Sequence, residues 1–466
     1  MRAGSVKRAL VAVGAALLLV VGAGVVPAAA QQVSGDGAWR STGHDYDGDG
    51  DLVVPALPKG VTFTNIRLVS RGSLFFRSDG KVVANGTLKA QGFNERVPAL
   101  PSGVRYVDGF ATNDVRSAEL SFLLLRSDGE LVRYNNTPSD YSLRELSGSV
   151  RYARFGNRWE LRFLSDGRVE YVYWTMPSEP EAGDEPTLHR VVTRRSDYVG
   201  GVYGAGYVIL LRADGRAVSR VWDECAMTDE GNVCFAGRKP TGSVVPKLPK
   251  GVRYTQVTGD GQGYVVYVRS DGKVVTSGRM TSASTVARPK IPSLPRGVRY
   301  LRASVGSIHL ALVRSDGRVV LVGSHKSRTK YGQLIEKIWK VPVLKKDHRF
   351  VDVVAGDSGT FFQSEAIPRG VRVATQITKV RVTSKKARRA TVVVTLSSVA
   401  KVKGGKVRVT YKGKTIGRAT VKKGHTVKVA ISTARLARAK KNTIKVKYLG
   451  KHHAKASYTT ARTLTP

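Results

Sequence analysis

A tight hairpin recurs six times along this chain and constrains its fold more than any other feature. Each copy places an Asp-Gly pair between two apolar runs, as in Ser78-Asp79-Gly80-Lys81. Asp-Gly in this setting is the strongest short signal for a β-hairpin, and we expect both turn residues to adopt positive φ. The pairs lie about 38 to 57 residues apart, as in propeller blades or a solenoid. The other five pairs are Asp128-Gly129, Asp166-Gly167, Asp214-Gly215, Asp271-Gly272 and Asp316-Gly317.

A second motif, Leu-Pro-x-Gly-Val, marks the boundary between repeats. Neither proline nor glycine suits a central strand, so each motif is expected to form a turn. The first half of the repeat begins a seventh time near Phe350, and an extra second half lies between Gly37 and Pro58. A chain that starts and ends in mid-repeat favours a closed ring, because closure removes exposed sheet edges. We therefore predict an all-β fold with a seven-bladed β-propeller closed by a shared blade. The motif occurs at 57–61, 100–104, 248–252 and 294–298.

The repeats resemble those of the regulator-of-chromosome-condensation family. The similarity is carried by Gly-Val-Arg-Tyr at 297–300, followed by Leu-Ala-Leu-Val-Arg-Ser-Asp-Gly-Arg-Val-Val at 310–320. The resemblance covers roughly residues 36–365 and implies a seven-bladed propeller closed by a shared blade. The Trp-Gly pair that this family carries after its third strand is only half kept, so the nuclear exchange activity of the family is not carried over. The altered pairs are Asn85-Gly86, Ser277-Gly278 and Val322-Gly323.

The N-terminus has the pattern of a secretion signal over residues 1–30. A basic start is followed by an apolar run from Ala9 to Val26, and Ala28-Ala29-Ala30 offers a small-residue cleavage site. An uncleaved anchor is the alternative, since the apolar run is nearly long enough to span a bilayer. We expect a secreted or extracellular protein associated with the cell surface, with no transmembrane span after cleavage.

Two cysteines, Cys225 and Cys234, bracket a short loop after the fourth hairpin. An even number of cysteines in an exported chain favours a disulfide, whereas two isolated cysteines do not complete a tetrahedral metal site. The acidic run Asp45–Asp51 resembles a calcium loop. It lacks a closing glutamate and lies where the repeat family has a Gly-rich loop before Pro55, so a solvated acidic turn is the preferred interpretation. We predict no metal and no cofactor.

The sequence offers no recognisable catalytic set. A Gly-x-Ser-x-Gly elbow, a His-Glu-x-x-His helix and a phosphate-binding loop are all missing from it. His309 lies in a strand of the repeat and is interpreted as a packed structural residue. The chain is therefore predicted not to be an enzyme.

Two tryptophans and two acidic loops form the candidate partner site of the propeller. Trp174 and Trp222 each stand seven residues after the glycine of their hairpin, and each begins a long acidic insertion. Equivalent positions in successive blades lie on one face of a propeller, and aromatic anchors concentrate binding energy. The alternative is that the loops are only long and polar, with the tryptophans packed on the blade edges. The acidic residues are Glu179, Glu181, Asp184, Glu185, Asp223 and Glu224.

The C-terminal segment differs in charge from the rest of the chain. After a predicted linker at 367–376, strands that alternate Val with Lys or Thr fill residues 377–466 and suggest an immunoglobulin-like β-sandwich. The spacing Val-x-Val-x-Tyr-x-Gly resembles bacterial immunoglobulin-like repeats of surface proteins. From Gln376 to Pro466 there are 25 Lys and Arg and no Asp or Glu, against a formal charge of +42 for the whole chain. Candidate polyanion-binding residues are Lys401, Lys403, Lys406, Lys412 and Lys414.

So many like charges favour an anionic environment, because they have no acidic partner within the segment. Cell-wall polymer, acidic polysaccharide or lipid headgroups, and nucleic acid each supply one. Lysines retained for solubility are the alternative. The segment contains only three aromatic residues, too few for a base-stacking platform, so the sequence argues against nucleic acid.

These features predict an exported, monomeric, non-enzymatic binding protein. Its propeller (residues 31–366) is expected to engage a protein or glycan partner, while the basic domain associates with anionic envelope polymer. A secreted inhibitor of a hydrolase is the alternative, since the repeats also resemble those of a secreted β-lactamase inhibitor. A propeller enzyme acting on acidic glycan is a third class, for which no converging His, Tyr or carboxylate set can be assembled from the sequence.

Overall fold

The computed structural model describes residues 38–464 apart from internal stretches. Within the described residues, the regular structure is almost entirely antiparallel β-sheet, as the sequence predicts, with two one-turn helices. Neither of these helices has the length or apolar character needed to cross a bilayer. The stretches outside the description are 44–52, 70–71, 114–119, 136–149, 157–158, 176–186, 205–206, 222–224, 229–230, 235–242, 262, 279, 283–284, 288, 307–308, 324–340, 346, 357–358, 369–372, 387–388, 399–404, 422–424, 435, 437–441, 451–453 and 456.

The first part of the chain, up to residue 366, is a series of three- and four-stranded sheets. Its elements are β1 (Ala38–Gly43), β2 (Phe63–Val69), β3 (Gly72–Arg77), β4 (Val82–Gly86), α1 (Thr87–Ala90), α2 (Phe93–Arg96), β5 (Tyr106–Asn113), β6 (Leu120–Arg126), β7 (Leu131–Asn135), β8 (Val150–Gly156), β9 (Trp159–Leu164), β10 (Val169–Thr175), β11 (Thr187–Val192), β12 (Tyr198–Gly204), β13 (Tyr207–Arg212), β14 (Ala217–Val221), β15 (Cys225–Thr228), β16 (Gly231–Cys234), β17 (Tyr254–Gly259), β18 (Val265–Arg269), β19 (Val274–Ser277), β20 (Met280–Ser282), β21 (Thr285–Ala287), β22 (Tyr300–Val305), β23 (His309–Arg314), β24 (Val319–Gly323), β25 (His348–Ala355) and β26 (Gly359–Ala366).

These strands form seven sheets within the described residues, besides the hairpins β15–β16 and β20–β21. Sheet 1 is β2–β4, sheet 2 is β5–β7, sheet 3 is β8–β11, sheet 4 is β12–β14, sheet 5 is β17–β19, sheet 6 is β22–β24, and sheet 7 is β25, β26 and β1. Neighbouring sheets meet through their first strands, except that sheet 3 meets sheet 4 through β9 and β12. Because β25 of sheet 7 also contacts β2 of sheet 1, the series closes on itself as a β-propeller.

Sheet 7 joins the two ends of this ring. Strand β1 pairs antiparallel with β26, so that Ala38 lies opposite Ser364 and Gly43 lies opposite Gly359. Trp39 packs against a buried cluster that includes Phe75 and Phe361. An N-terminal strand thus completes the last sheet and puts the two half-repeats of the sequence into one unit.

The Asp-Gly turns differ from the sequence-based expectation, which was wrong about the aspartate. Gly80 has φ +91°, but the only non-glycine residues with positive φ in the described part of the chain are Asp347 and Lys412. The amide of Gly80 donates to Arg77 O at 3.0 Å, and the amide of Arg77 donates to Lys81 O at 2.8 Å. This is a three-residue loop in which a type I turn precedes a left-handed glycine. The aspartate instead accepts hydrogen bonds through its carboxylate, which pairs with the arginine two residues before it in five of the six turns.

Five of the six turns also fasten their sheet to the next one through the glycine carbonyl. The carbonyl of Gly272 accepts a hydrogen bond of 2.9 Å from the amide of Tyr300, and Gly80 and Tyr106 are joined in the same way at 3.0 Å. The Tyr300 hydroxyl donates to Pro292 O at 2.9 Å, which ties the segment before the Leu-Pro-x-Gly-Val turn to the strand after it. A Cβ on Gly272 would lie 2.3 Å from Cβ of Arg299, so this position needs glycine for space as well as for its φ.

Apolar clusters fill the space between neighbouring sheets. The cluster between sheets 1 and 2 contains eleven buried residues, including Phe76, Phe93 and Phe122. Among the described side chains, the cluster between sheets 2 and 3 contains four buried residues, which are Leu125, Val150, Ala153 and Leu164. Among the described residues, the cluster between sheets 7 and 1 also has four buried members, but six partly buried residues pack against it and only two pack against the cluster between sheets 2 and 3.

The basic C-terminal segment folds into two further sheets. Its strands are β27 (Val373–Ala374), β28 (Gln376–Lys386), β29 (Arg389–Ser397), β30 (Lys406–Tyr411), β31 (Lys414–Thr420), β32 (Thr426–Ser432), β33 (Asn442–Leu449), β34 (Ala454–Lys455) and β35 (Ser457–Leu464). Sheet 8 has the order β28–β29–β32, sheet 9 has the order β31–β30–β33–β35, and β27 pairs parallel with β34. A shared core of valines, isoleucines and Tyr448 lies between sheets 8 and 9.

Candidate functional site

The outward faces of sheets 8 and 9 carry most of the described exposed charge of the C-terminal segment. In β32 the residues alternate strictly between buried and exposed, with Val427 and Val429 in the core and Lys428 outside. The same alternation in β30 and β33 buries Val409 and Val446 and turns their charged neighbours outward. The Val-Lys pattern of the sequence is therefore a two-sided sheet pattern. No acidic residue lies between Gln376 and Pro466 to offset these cations.

Three of the five predicted polyanion-binding lysines lie in the described residues. Lys406 begins β30, while Lys412 and Lys414 belong to the hairpin between β30 and β31, and all three are exposed. The Lys412 ammonium lies 5.6 Å from the ring centroid of Tyr411. Lys401 and Lys403 fall outside the described residues. Sequence reasoning missed outward cations that the register places together, and only strand pairing reveals them: Arg408, Arg418, Lys445 and Lys447.

The predicted partner site of the propeller falls largely outside the described residues. Trp174 lies in β10, opposite Leu188 of β11, so its backbone position is known. Trp222 directly follows β14, which is the third strand of sheet 4 just as β10 is the third strand of sheet 3. The acidic positions Glu179, Glu181, Asp184, Glu185, Asp223 and Glu224 are outside the description, and their role stays a prediction.

The cysteines of the fourth repeat lie opposite each other in the backbone. Strands β15 and β16 pair antiparallel, and Cys225 is the register partner of Cys234. Directly opposed residues of an antiparallel pair have Cβ atoms about 4.5 to 5.5 Å apart, near the range that a disulfide bridges. The predicted disulfide stays a prediction, since the side chains of this hairpin lie outside the description.

The described residues contain no group of three or more His, Cys, Asp or Glu placed to hold a metal ion. The acidic run Asp45–Asp51 is outside them. His309 is fully buried, and its Nε2 lies 2.6 Å from Oγ1 of Thr360, which links sheet 6 to sheet 7. Burial lowers the pKa of His309 to about 4, so the imidazole is neutral near pH 7. This environment is that of a packed structural residue.

Acidification is expected to weaken the propeller through His309. The unfolded chain binds a proton near pH 6.5 but the folded chain only near pH 4, so stability falls as pH drops between these values. The expected loss between pH 7 and pH 5 is about 2 kcal/mol. Urea unfolding at the two pH values measures it, and His309→Gln should remove most of the difference. A variant with the same pH dependence as the parent chain would contradict this assignment.

A buried charge cluster occupies the small interface between sheets 2 and 3. The Arg162 guanidinium lies between two carboxylates, with Nε donating to Glu160 Oε2 at 2.9 Å and Nη1 donating to Glu170 Oε2 at 3.2 Å. Arg133 of β7 reaches Glu160 at 3.0 Å, and Arg190 of β11 pairs with Glu170. The side chains of Glu160, Arg162 and Glu170 are 4, 2 and 0 % exposed. Sequence reasoning missed this cluster, although Glu160 and Arg162 interrupt an otherwise apolar strand.

No family model and no curated protein matches the sequence. Several solved structures are similar to part of it. Human WBSCR16 is 14% identical with a TM-score of 0.43, over 68% of this chain and 90% of that one. Yeast RCC1 (Prp20), solved in complex with Kap60, is 14% identical with a TM-score of 0.45, over 66% of this chain and 81% of that one. BamB from Moraxella catarrhalis is 13% identical with a TM-score of 0.27, over 63% and 79%.

Proposed function

We propose that this chain is an exported, non-enzymatic binding scaffold. Its seven sheets are the blades of one propeller with a shared closing blade, and sheets 8 and 9 form an immunoglobulin-like sandwich. The propeller presents loops to a protein or glycan, and the sandwich holds the molecule to an anionic polymer of the cell envelope. The signal pattern of residues 1–30 supports export, and the ring of sheet contacts supports the blade count.

The placement of the loops supports a binding role for one end of the ring. In each blade the chain runs antiparallel, so the Asp-Gly turns lie at one end and the segments after the third strands begin at the other. Trp174 and Trp222 both stand where a third strand ends, in adjacent sheets 3 and 4. Two large aromatic residues at equivalent positions of neighbouring blades make this end the proposed contact for a protein or glycan.

The observation that supports the envelope-binding function is that the outward faces of the sandwich carry positive charge without negative charge. Its outward strand residues include many Lys and Arg, and the segment from Gln376 to Pro466 has no acid to pair with them. Like charges on neighbouring strands repel, and the repulsion is relieved when an anionic chain lies along the sheet. Binding of this kind releases counterions from the polymer and therefore depends steeply on salt.

Salt-dependent retention tests this proposal. Residues 31–466 should bind isolated cell wall and heparin, and the affinity should fall about 1000-fold or more between roughly 50 and 200 mM salt if six or more anionic groups are contacted. A chain that ends at Pro368 keeps the propeller strands and lacks the sandwich, so it should bind at least about tenfold more weakly. Equal binding by the two chains would assign retention to the propeller, and no binding by either at low salt would refute envelope association.

A further inference from the structure

The register of sheet 9 places three cations side by side on its outward face. Arg408 of β30 is the register partner of Arg418 in β31 and also of Lys447 in β33. Neighbouring strands are about 4.8 Å apart, so the three residues form a continuous row about 10 Å long. We call Arg418, Arg408 and Lys447 the cationic row. Lys445 lies two residues from Lys447 on the same face and Lys406 two residues from Arg408, so the charge continues along the strands.

Sheet 8 has a comparable charge without such a row. Arg381 of β28 and Lys428 of β32 share a line across the sheet, but Val393 of β29 separates them. Lys379 is exposed on β28, two residues from Arg381. Direct opposition of like charges destabilises a sheet, and sheet 9 contains two such pairs in succession whereas this line of sheet 8 contains none. The two sheets thus provide a natural comparison between clustered and separated cations.

The central residue of the row, Arg408, lies on the outward face of sheet 9. Val407 and Val409, its neighbours in β30, are buried in the core, so Arg408 points outward. Its Nε atom is buried, yet it has no hydrogen-bond partner among the described residues. A guanidinium offers a planar set of donors that matches the oxygens of a phosphate or carboxylate. An oxyanion on the row would relieve the repulsion within the row.

We propose that the cationic row binds successive phosphates of a linear polyol phosphate polymer, a deepening of the envelope function that rests on the proposed function above. The row crosses the strands and can meet more than one phosphate of an extended chain. The described neighbours of the row on this face include the hydroxyls of Thr410, Thr420 and Thr443, which are donors and acceptors for phosphate and polyol groups. The outward side chains described on this face are not aromatic, and Tyr458 of β35 is the register partner of Lys447 at the end of the row.

Two matched variants of the full mature chain test the row. The row variant carries Arg408→Gln, Arg418→Gln and Lys447→Gln, and the control variant carries Lys379→Gln, Arg381→Gln and Lys428→Gln. Each variant removes three positive charges from the same domain. With poly(glycerol phosphate) as the probe at about 50 mM salt, we expect the row variant to lose at least about tenfold in affinity and the control less than about threefold. The slope of log affinity against log salt should fall by about 2 units in the row variant.

The outcomes separate the row from the broader function. Equal losses in the two variants would overturn the row while leaving polymer binding intact, and no binding by the parent chain would refute the proposed function itself. Tighter binding of a thymidine oligonucleotide, or equal binding of polyglutamate, would overturn the phosphate polymer as the occupant. Thermal melting checks that both variants fold. If the triple variant melts early, Arg418→Gln at its exposed position should still weaken binding more than Lys428→Gln does.

Discussion

Deletion of residues 31–56 is expected to abolish the single cooperative unfolding transition of the propeller. The deletion removes β1, whose pairing runs from Ala38–Ser364 to Gly43–Gly359, and leaves the edge of β26 unpaired. It also removes Trp39 from the cluster that holds Phe63, Phe75 and Phe361. Loss of a packed tryptophan alone costs about 3 kcal/mol, a large share of the roughly 5 to 15 kcal/mol that stabilises a typical domain.

Urea unfolding followed by circular dichroism measures this effect. A synthetic peptide covering residues 31–56 should restore the transition when added to the shortened chain, because it supplies the missing strand. Deletion of residues 457–466 serves as the control, since it removes β35 from the edge of sheet 9 and leaves the propeller strands in place. An unchanged midpoint and slope after the N-terminal deletion would rule out β1 as the closing strand.

Replacement of Glu170 by alanine is expected to destabilise the propeller by about 3 to 5 kcal/mol. The Glu170 side chain is fully buried and receives Arg162 Nη1 at 3.2 Å as well as Arg190. Without Glu170, Arg162 keeps only Glu160 as a carboxylate partner in the cluster, and Arg133 pairs with the same glutamate. The cluster is then left with excess positive charge in a buried interface. The described part of the apolar cluster between sheets 2 and 3 has four buried residues, which do not neutralise this charge.

An exposed ion pair of the same sheet supplies the control for this prediction. Arg168 and Asp166 lie 2.6 Å apart at the hairpin between β9 and β10, with side chains that are 45 and 47 % exposed. Exposed pairs contribute little because solvent screens them, so Asp166→Ala should shift the unfolding midpoint far less than Glu170→Ala. Similar shifts of the unfolding midpoint for both variants would show that burial does not determine how much the cluster contributes to stability.

Much of the fold could be predicted from the sequence because its repeats are visible as recurring short motifs. The Asp-Gly pairs and the alternating Val-Lys pattern are local signals, and each leads directly to a strand or a turn. The φ of the aspartates could not be predicted, because the turn type depends on a hydrogen bond that the Lys81 amide donates to the Asp79 carboxylate and on the pairing of that carboxylate with Arg77. These contacts are not visible in a two-residue signal.

The candidate site was harder to predict than the fold, because its members are distant in the sequence. Arg408, Arg418 and Lys447 become neighbours only through the register of three strands. The sequence drew attention to Lys406, Lys412 and Lys414 because they lie close together along the chain. In the same way, Arg133 and Arg190 pair with the buried glutamates from two different strands, and no local sequence pattern predicts these ion pairs.

The pairing of β1 with β26 fixes the order in which the propeller can be completed. Strand β1 follows directly on the N-terminal segment, whereas its partner begins at Gly359. Sheets 1 to 6 can form as the chain is synthesised, but sheet 7 must wait for nearly the whole propeller to emerge. Pairing between strands so distant in sequence is slow. The entropic cost of closing the loop is a smaller factor, because each doubling of the loop length raises this free-energy cost by only about 0.6 kcal/mol. Until that late step, β1 has an unpaired edge. It can then pair with β26 of a second chain whose own β1 has not yet docked. Conditions that delay closure will therefore favour dimers that exchange their first strands.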